Sequence, residues 1–373
     1  MSEVSFSYVT TADSLAALST LILGLDEQEC IGIDTEFIRD MSYYPQLCLM
    51  QLWVREQNYI VDPQSVNLKP LLESLNATSA LLLVYSGAED FETIVHVGRT
   101  LGINDKFKAR CLDLQVLIAM LNLRFRMGLA TAVATFLGHE LQKNETRSDW
   151  ANRPLTASQL NYAVLDVWYL KDLYLKLVEQ ASPQQLEYAF AETREILLAA
   201  FEILDPEFAY IYVDKTANLN QGALTRLQFL VQKRLEYARD IDEAVNRVIT
   251  TSALPRIADG CPSSFTALAA CNMKWGAIRE HGSIVLKWIK QARALPENPE
   301  LMRPLAYFAN AKEFHDQLRR LKHVLQQVAE QVHICPELLT QKKLLADHLF
   351  CRQYGKCARL KRGWRANLTQ QLD

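Results

Sequence analysis

The chain has 373 residues, is 49% apolar and carries a net charge of -3, with a mean hydropathy of -0.06; this is the profile of an ordinary soluble globular protein long enough for two or three domains, and not of a disordered or membrane chain. The small net charge hides an asymmetry. Residues 1–200 carry 15 Lys+Arg against 25 Asp+Glu, a balance of -10, and residues 201–373 carry 25 against 18, a balance of +7. An acidic part suits divalent cations and a basic part suits phosphate backbones, with two plain solvated surfaces as the alternative.

In chain order, Cys30–Phe37, Leu47–Val54 and Tyr59–Val61 are short runs rich in β-branched and aromatic residues, separated by polar turn formers, and they predict three strands of a meander. Ala80–Tyr85 predicts a further buried strand that ends at Ser86-Gly87, after which Glu89–Val97 takes up helical periodicity. Asp113 and Thr156 are placed to cap helices over Leu114–Leu121 and Gln159–Leu177. Beyond about residue 200 the strand signal fades. Leu224–Val248 and Glu313–Val332 read as helices, with breaks at Ser252–Pro262 and Ala294–Pro299. The apolar stretches Ala80–Tyr85 and Val116–Leu121 are too short to cross a bilayer, and Met1–Phe6 lacks the features of a secretory signal. Eight cysteines without any Cys-X-X-Cys pair suggest neither a zinc site nor a disulfide framework, so a cytoplasmic setting is expected.

Asp34 and Glu36 alternate with Ile31, Ile33 and Phe37 on a strand, so both carboxylates share one face. Paired acids on a buried strand need a compensating cation, and hard oxygen ligands suit Mg²⁺ or Mn²⁺. Tyr162 and Asp166 stand four apart on a helix and project toward one point. Asp90 opens a helix after a strand and a glycine turn, from where it approaches the same point. Each residue alone has a bland reading, as a helix N-terminal charge or a half-buried aromatic; the five together, in this order, point to phosphodiester cleavage at a nucleic-acid end.

These residues, with Ile33-Asp-Thr-Glu-Phe37, Tyr43-Tyr-Pro-Gln-Leu47, Gly87-Ala-Glu-Asp90, Lys143–Trp150, Arg153-Pro-Leu-Thr156 and Tyr162–Leu170, resemble the ribonuclease D branch of the DEDD 3′→5′ exonucleases, in the version whose third motif carries Tyr. The resemblance implies a ribonuclease H-like α/β exonuclease domain with a mixed sheet over residues 1–205. One or two all-α bundles would follow, a helicase-and-RNase-D C-terminal domain over 211–293 and a second, diverged copy over 300–373. It further implies two divalent ions, with Asp34, Glu36 and Asp166 holding one, Asp34 bridging to the other and Asp90 supporting it. Tyr162 would aim the attacking water. Lys143, Arg147 and Arg153 are candidate phosphate contacts or else ordinary solvated cations. Tyr85 stands where the family often has His and is a further candidate substrate contact.

The implied activity is metal-dependent 3′→5′ exoribonuclease trimming of tRNA precursors and other small stable RNAs, yielding 5′-mononucleotides, by a monomer with no membrane attachment and no obligate protein partner. A DNA 3′→5′ exonuclease and a catalytically silent nucleic-acid-binding protein are the alternatives. The basic modules are expected to hold the substrate strand. In the last segment six cations between Arg352 and Arg365 interleave with Tyr354 and Trp364, a pattern that suits stacking on unpaired bases, with a frayed, solvated tail as the alternative.

Overall fold

The computed structural model describes residues 5–103, 107–141, 145 and 148–372. The chain divides into two compact units. The first holds the chain up to Ile38, Pro45–Glu202 and Glu330–Leu338; the second holds Arg39–Tyr44, Ile203–Ala329 and the chain from Leu339 onward.

The first unit runs β1 (Phe6–Val9), α1 (Ala12–Leu23), β2 (Cys30–Ile38), β3 (Gln46–Val54), β4 (Gln57–Val61), α2 (Lys69–Ala77), β5 (Leu81–Val84), α3 (Ala88–Thr100), β6 (Cys111–Asp113), α4 (Leu114–Met120), α5 (Leu129–Leu137), α6 (Ala157–Trp168), α7 (Leu170–Val178) and α8 (Pro183–Ala200). Its six strands lie in the order β1-β4-β3-β2-β5-β6. β2, β3 and β4 form the antiparallel meander, and β5 and β6 add in parallel on the other side of β2, so the sheet is mixed. Helices cover both faces. Ile31 and Ile33 of β2 point into a core shared with Leu15, Leu18 and Ile22 of α1, Leu71 of α2 and Phe91 and Ile94 of α3. On the opposite face Leu49 and Ile60 pack against Ala163 and Val164 of α6.

β2 is central, yet its parallel pairing with β5 ends at Gly32↔Leu83 because β5 stops at Val84. Past Gly32 the β5-facing edge of β2 has no strand beside it. A crevice at the carboxyl end of central strands, where the sheet changes direction, is the usual location for a ligand site in open α/β sheets.

Two helical expectations need correction. The run expected over Gln159–Leu177 is interrupted at Tyr169, a buried residue with φ -94° and ψ 0° whose ring packs against His139 at 5.2 Å. The run expected over Leu224–Val248 ends at Asp240, because Asp242 adopts a left-handed conformation with φ 48°. There its carboxylate accepts the amides of Tyr43 and Tyr44, each at 3.1 Å.

The second unit is helical: α9 (Gln221–Asp240), α10 (Val245–Val248), α11 (Leu254–Gly260), α12 (Phe265–Ala270), α13 (Trp275–Arg293), α14 (Leu305–Asn310), α15 (His315–Gln331), α16 (Glu337–Thr340), α17 (Lys342–Gln353) and α18 (Gly363–Leu368), α15 and α16 running partly into the first unit. Leu227 and Leu230 of α9, Ile257 of α11, Val285 and Trp288 of α13, Phe308 of α14 and Phe350 of α17 share one core. The stacking expected of Tyr354 and Trp364 is overturned here. Trp364 is 5% exposed, with Arg365 lying over its ring at 4.5 Å, and Tyr354 packs 5.0 Å from Phe350 while its hydroxyl accepts the Arg303 amide. Both aromatics serve the core. No helix among the described residues is long and apolar enough to cross a membrane.

Candidate active site

Period-2 geometry sends Gly32, Asp34 and Glu36 to the face of β2 that α6 covers. Gly32 has no side chain where one would meet α6: a Cβ there would lie 3.1 Å from the Val167 carbonyl oxygen and 3.3 Å from Trp53 Cβ. The helix therefore comes close to the strand, and Asp166, next to Val167, reaches the acids of β2. Ligand oxygens of Asp34, Glu36 and Asp166 all lie within 4.8 Å of one another, with each residue half-buried. Tyr162, one turn before Asp166, hydrogen-bonds its carboxylate. The Tyr162 ring is backed by Trp150, 6.1 Å away.

Asp90 arrives from the other direction. Ser86 is left-handed at φ 60°, and its amide and that of Gly87 donate to the two oxygens of Asp113, each at 2.9 Å. Asp113 also caps α4 through the Gln115 amide, so one buried carboxylate locks the turn that launches α3. At the start of α3, Asp90 accepts the Thr35 amide at 3.1 Å and the Thr35 hydroxyl. Those donors are available because β5 has already ended. Gly87 is required by close approach: a Cβ there would stand 2.6 Å from Val84 Cγ2. Gly87→Ala is expected to push the first turn of α3 away from β2, lowering kcat roughly 10- to 100-fold and destabilising by ~1–3 kcal/mol. Steady-state kinetics and thermal melts check this, and wild-type kcat would show that Asp90 does not depend on the turn.

The four acids are electrostatically unsatisfied as a group. Burial first, then the carboxylates of Asp90, Asp166 and Glu36, hold Asp34 well above the usual carboxylate range. Burial and the neighbouring acids push Glu36 up to about 9. Asp166 rises to about 7, chiefly by burial, against the opposing hydrogen bond from Tyr162. Asp90 rises to about 6 for the same main cause, restrained by Thr35. Several carboxylates forced together without a cation prefer protons. A divalent ion with hard oxygen preference fits this donor set and would take the protons' place.

Other expected contacts fare differently. Arg153 is engaged within the fold: Nε and Nη2 make 2.7 and 3.0 Å bonds to the two oxygens of buried Asp62, and its remaining N–H groups donate to the carbonyls of Trp150, Asn152 and Cys48. Its guanidinium is thereby committed to holding the approach to α6, not a phosphate. Burial would raise the Asp62 carboxyl, but Arg153 and the Gln64 amide outweigh it and hold it below the usual range. Arg153→Ala leaves that charge buried and unpaired, with an expected loss of ~3 kcal/mol. In melts this contribution is fully present at neutral pH and fades only as pH falls through the lowered Asp62 value. A raised KM with unchanged stability would return Arg153 to substrate binding.

Tyr85 likewise turns inward: it is 9% exposed and its hydroxyl donates to the Met127 carbonyl at 2.7 Å, so it packs the core instead of facing substrate. Lys143 and Arg147 lie outside the described residues. Asp149 accepts the Ala151 amide and Gln159 completes a capping box with Thr156, which fixes where α6 begins. A second group of potential ligands, Glu243, Glu280 and His281 in the helical unit, already has a cation: Arg247 lies 2.8 Å from Glu243 and 3.8 Å from Glu280.

Gly32 and Thr35 were not singled out by sequence reasoning, and Asp113 was read only as the cap of the helix that follows it, not as the lock of the Ser86–Gly87 turn. The glycine inside a β-branched strand was the available signal, since such a residue marks close backbone approach.

A family model described as a 3′-5′ exonuclease matches residues 7–182. The chain is 31% identical to ribonuclease D of Escherichia coli (strain K12), over 99% of this chain and 97% of that one. It is 33% identical to ribonuclease D of Cronobacter turicensis over 96% of each. A crystal structure of Escherichia coli RNase D, described as an exoribonuclease involved in structured RNA processing, superposes with a TM-score of 0.85 at 30% identity, covering 99% of this chain and 97% of that chain.

Proposed function

The chain belongs to the ribonuclease D family, and from that premise we propose that it shortens structured RNA from the 3′ end, with tRNA precursors and other small stable RNAs as substrates and 5′-mononucleotides as products. The observation that carries the reading is the convergence of Asp34, Glu36 and Asp166 within 4.8 Å, with Tyr162 bonded to Asp166.

Asp34, Glu36 and Asp166 would hold one divalent cation, and Asp34 with Asp90 would supply carboxylate oxygens to a second. When bound, such cations stabilise charge on the entering and leaving oxygens of an in-line displacement. The chain's residues do the rest. The Tyr162 hydroxyl donates a hydrogen bond to the Asp166 carboxylate and keeps its proton, which leaves the phenolic oxygen's lone pairs to accept a hydrogen bond from the attacking water. A phenol titrating near ~10 is a poor base at neutral pH, so the role is aiming. Thr35 fixes the Asp90 carboxylate, so that its other oxygen is presented in a set orientation. The water oxygen bonds to phosphorus as the bond from phosphorus to the 3′-oxygen of the preceding nucleotide breaks; the water gives up a proton to solvent and the departing oxygen takes one up, so the shortened strand keeps a 3′-OH.

The helical modules over 211–293 and 300–373 act as helicase-and-RNase-D C-terminal domains that hold the substrate, and the protein works as a cytoplasmic monomer. Eight free cysteines suit that compartment. The test is incubation of 3′-tailed tRNA, and of DNA of the same sequence, with purified protein in Mg²⁺ or EDTA. Stepwise 3′ shortening of RNA that EDTA abolishes is the expected result. Shortening of DNA alone would move the assignment to the DNA exonucleases, and no shortening with any divalent ion would leave a binding protein.

A further inference from the structure

The helical unit contains a groove of about 670 Å³ with an unusual lining. It is lined by residues between Tyr212 and Asn218, by Ala306 and Ala309 of α14 with Ala346 of α17, and by Lys342 and Lys343 in the first turn of α17. Three cations face it, Lys215, Lys342 and Lys343, against a single acid, Asp214. All three lysines are exposed, and none is ion-paired to a carboxylate among the described residues. Lys342 is steadied by an Asn310 Oδ1 bond of 2.7 Å. Tyr212 is 54% exposed although Ile211 and Val213 on either side are buried, so the short 3₁₀ turn Ala209–Tyr212 anchors its neighbours and holds this ring at the groove.

The occupant follows from the chemistry. Unpaired cations call for anions, and a volume within the ~300–1,000 Å³ range of ligand sites takes a nucleotide or two but not a duplex. Small alanine side chains in the lining leave room for a flat ring, and an aromatic side chain among lysines is the combination that stacks a base while neighbouring cations take phosphates. An acidic peptide would satisfy the lysines but calls for neither the exposed ring of Tyr212 nor the alanine-lined space. We propose that this groove is a second, non-catalytic RNA site, in which Lys215, Lys342 and Lys343 take backbone phosphates and Tyr212 stacks on an unpaired base. It rests on the RNA-shortening reading and assigns the holding of the strand to named residues.

The test measures binding of a fluorescent, unstructured 12-nucleotide RNA to the full chain in EDTA, where shortening is silenced, across a salt series. Neutralising the three lysines as K215Q/K342Q/K343Q is expected to weaken binding tenfold or more. It should also reduce the slope of log Kd against log salt by about 2, at ~0.7 per single-strand phosphate contact. Tyr212→Ala is expected to weaken binding at least fivefold with the salt slope unchanged, since stacking is not ionic. Folding of each variant is verified by its thermal melt. Independently of any variant, photo-cross-linking of 4-thiouridine RNA to the wild-type chain should label the peptide carrying Tyr212. A folded triple variant with unchanged affinity and slope, or cross-links confined to other peptides, overturns the proposal. A wild-type chain that neither binds RNA in EDTA nor shortens it in Mg²⁺ instead defeats the functional reading beneath it.

Discussion

Asp34→Asn is expected to lose roughly 10³-fold or more in kcat, because cation-based charge stabilisation worth several kcal/mol disappears and ~4 kcal/mol corresponds to 10³ in rate. The same substitution should raise the melting temperature of the metal-free protein at pH 8. Asp34 is held well above its usual range by burial and by Asp90, Asp166 and Glu36, so neutralising it relieves repulsion that the fold otherwise bears. This combination, a dead enzyme that is more stable without metal, separates a cation ligand from a structural aspartate. A metal-free variant that melts lower than wild type would mark Asp34 as a structural group, and retained activity would remove it from the site.

Gly32→Val is expected to lose about 10²-fold in kcat without contacting substrate or cation. The added side chain must occupy space where even a Cβ would already lie 3.1 Å from the Val167 carbonyl and 3.4 Å from Leu170 Cδ1. α6 can yield only by retreating from β2, which carries Asp166 and Tyr162 away from Asp34 and Glu36. Displacements of ~1 Å cost about 10² in rate, while overpacking costs ~1–3 kcal/mol of stability. Gly32→Ala, where neighbours need shift by only tenths of an ångström, should lose less than tenfold. Activity measured well below the melting temperature, together with Mg²⁺ affinity, distinguishes displacement from unfolding. A Gly32→Val protein with wild-type Mg²⁺ affinity and rate would show that the approach of α6 is not what assembles the site.

Local patterns in the sequence reveal much of this arrangement, and long-range pairings account for what they hide. Alternation along Cys30–Phe37 places Asp34 and Glu36 on one face, and the four-residue spacing of Tyr162 and Asp166 places both on one side of α6, because each relation is set by the period of a single element. The meander follows from the same local signals, whereas the mixed sheet was implied only by the family resemblance. β1 and β6 escape notice because they are only 4 and 3 residues long and owe their existence to parallel neighbours far away in the chain. Arg153 reads as a phosphate contact until its partner Asp62, 91 residues earlier, is known. The same applies to Tyr85, whose hydroxyl finds Met127 42 residues on, and to Trp364, which sits among cations in the sequence but is buried in the helical core. Neither the break at Asp242 nor the role of Asp113 in locking the Ser86–Gly87 turn is a matter of helix or strand propensity; each depends on which amides happen to lie within reach of a carboxylate.

The central claim is that the acids of β2, α3 and α6 are assembled for divalent cations, and the pH dependence of metal stabilisation tests it most directly. Asp90, Asp166 and Glu36 titrate near 6, 7 and 9 in the folded chain and Asp34 is also raised, whereas unfolded carboxylates titrate near ~4. The metal-free fold therefore holds protons that the unfolded chain has released, so its stability falls as pH rises from about 4 toward 9. Thermal melts at pH 5.5 and 8.5, with and without Mg²⁺, should show a gain of several degrees on adding Mg²⁺ at pH 8.5, little gain at pH 5.5, and almost none at either pH in Asp34→Asn. An equal gain at both pH values, or one that persists undiminished in Asp34→Asn, would contradict the account.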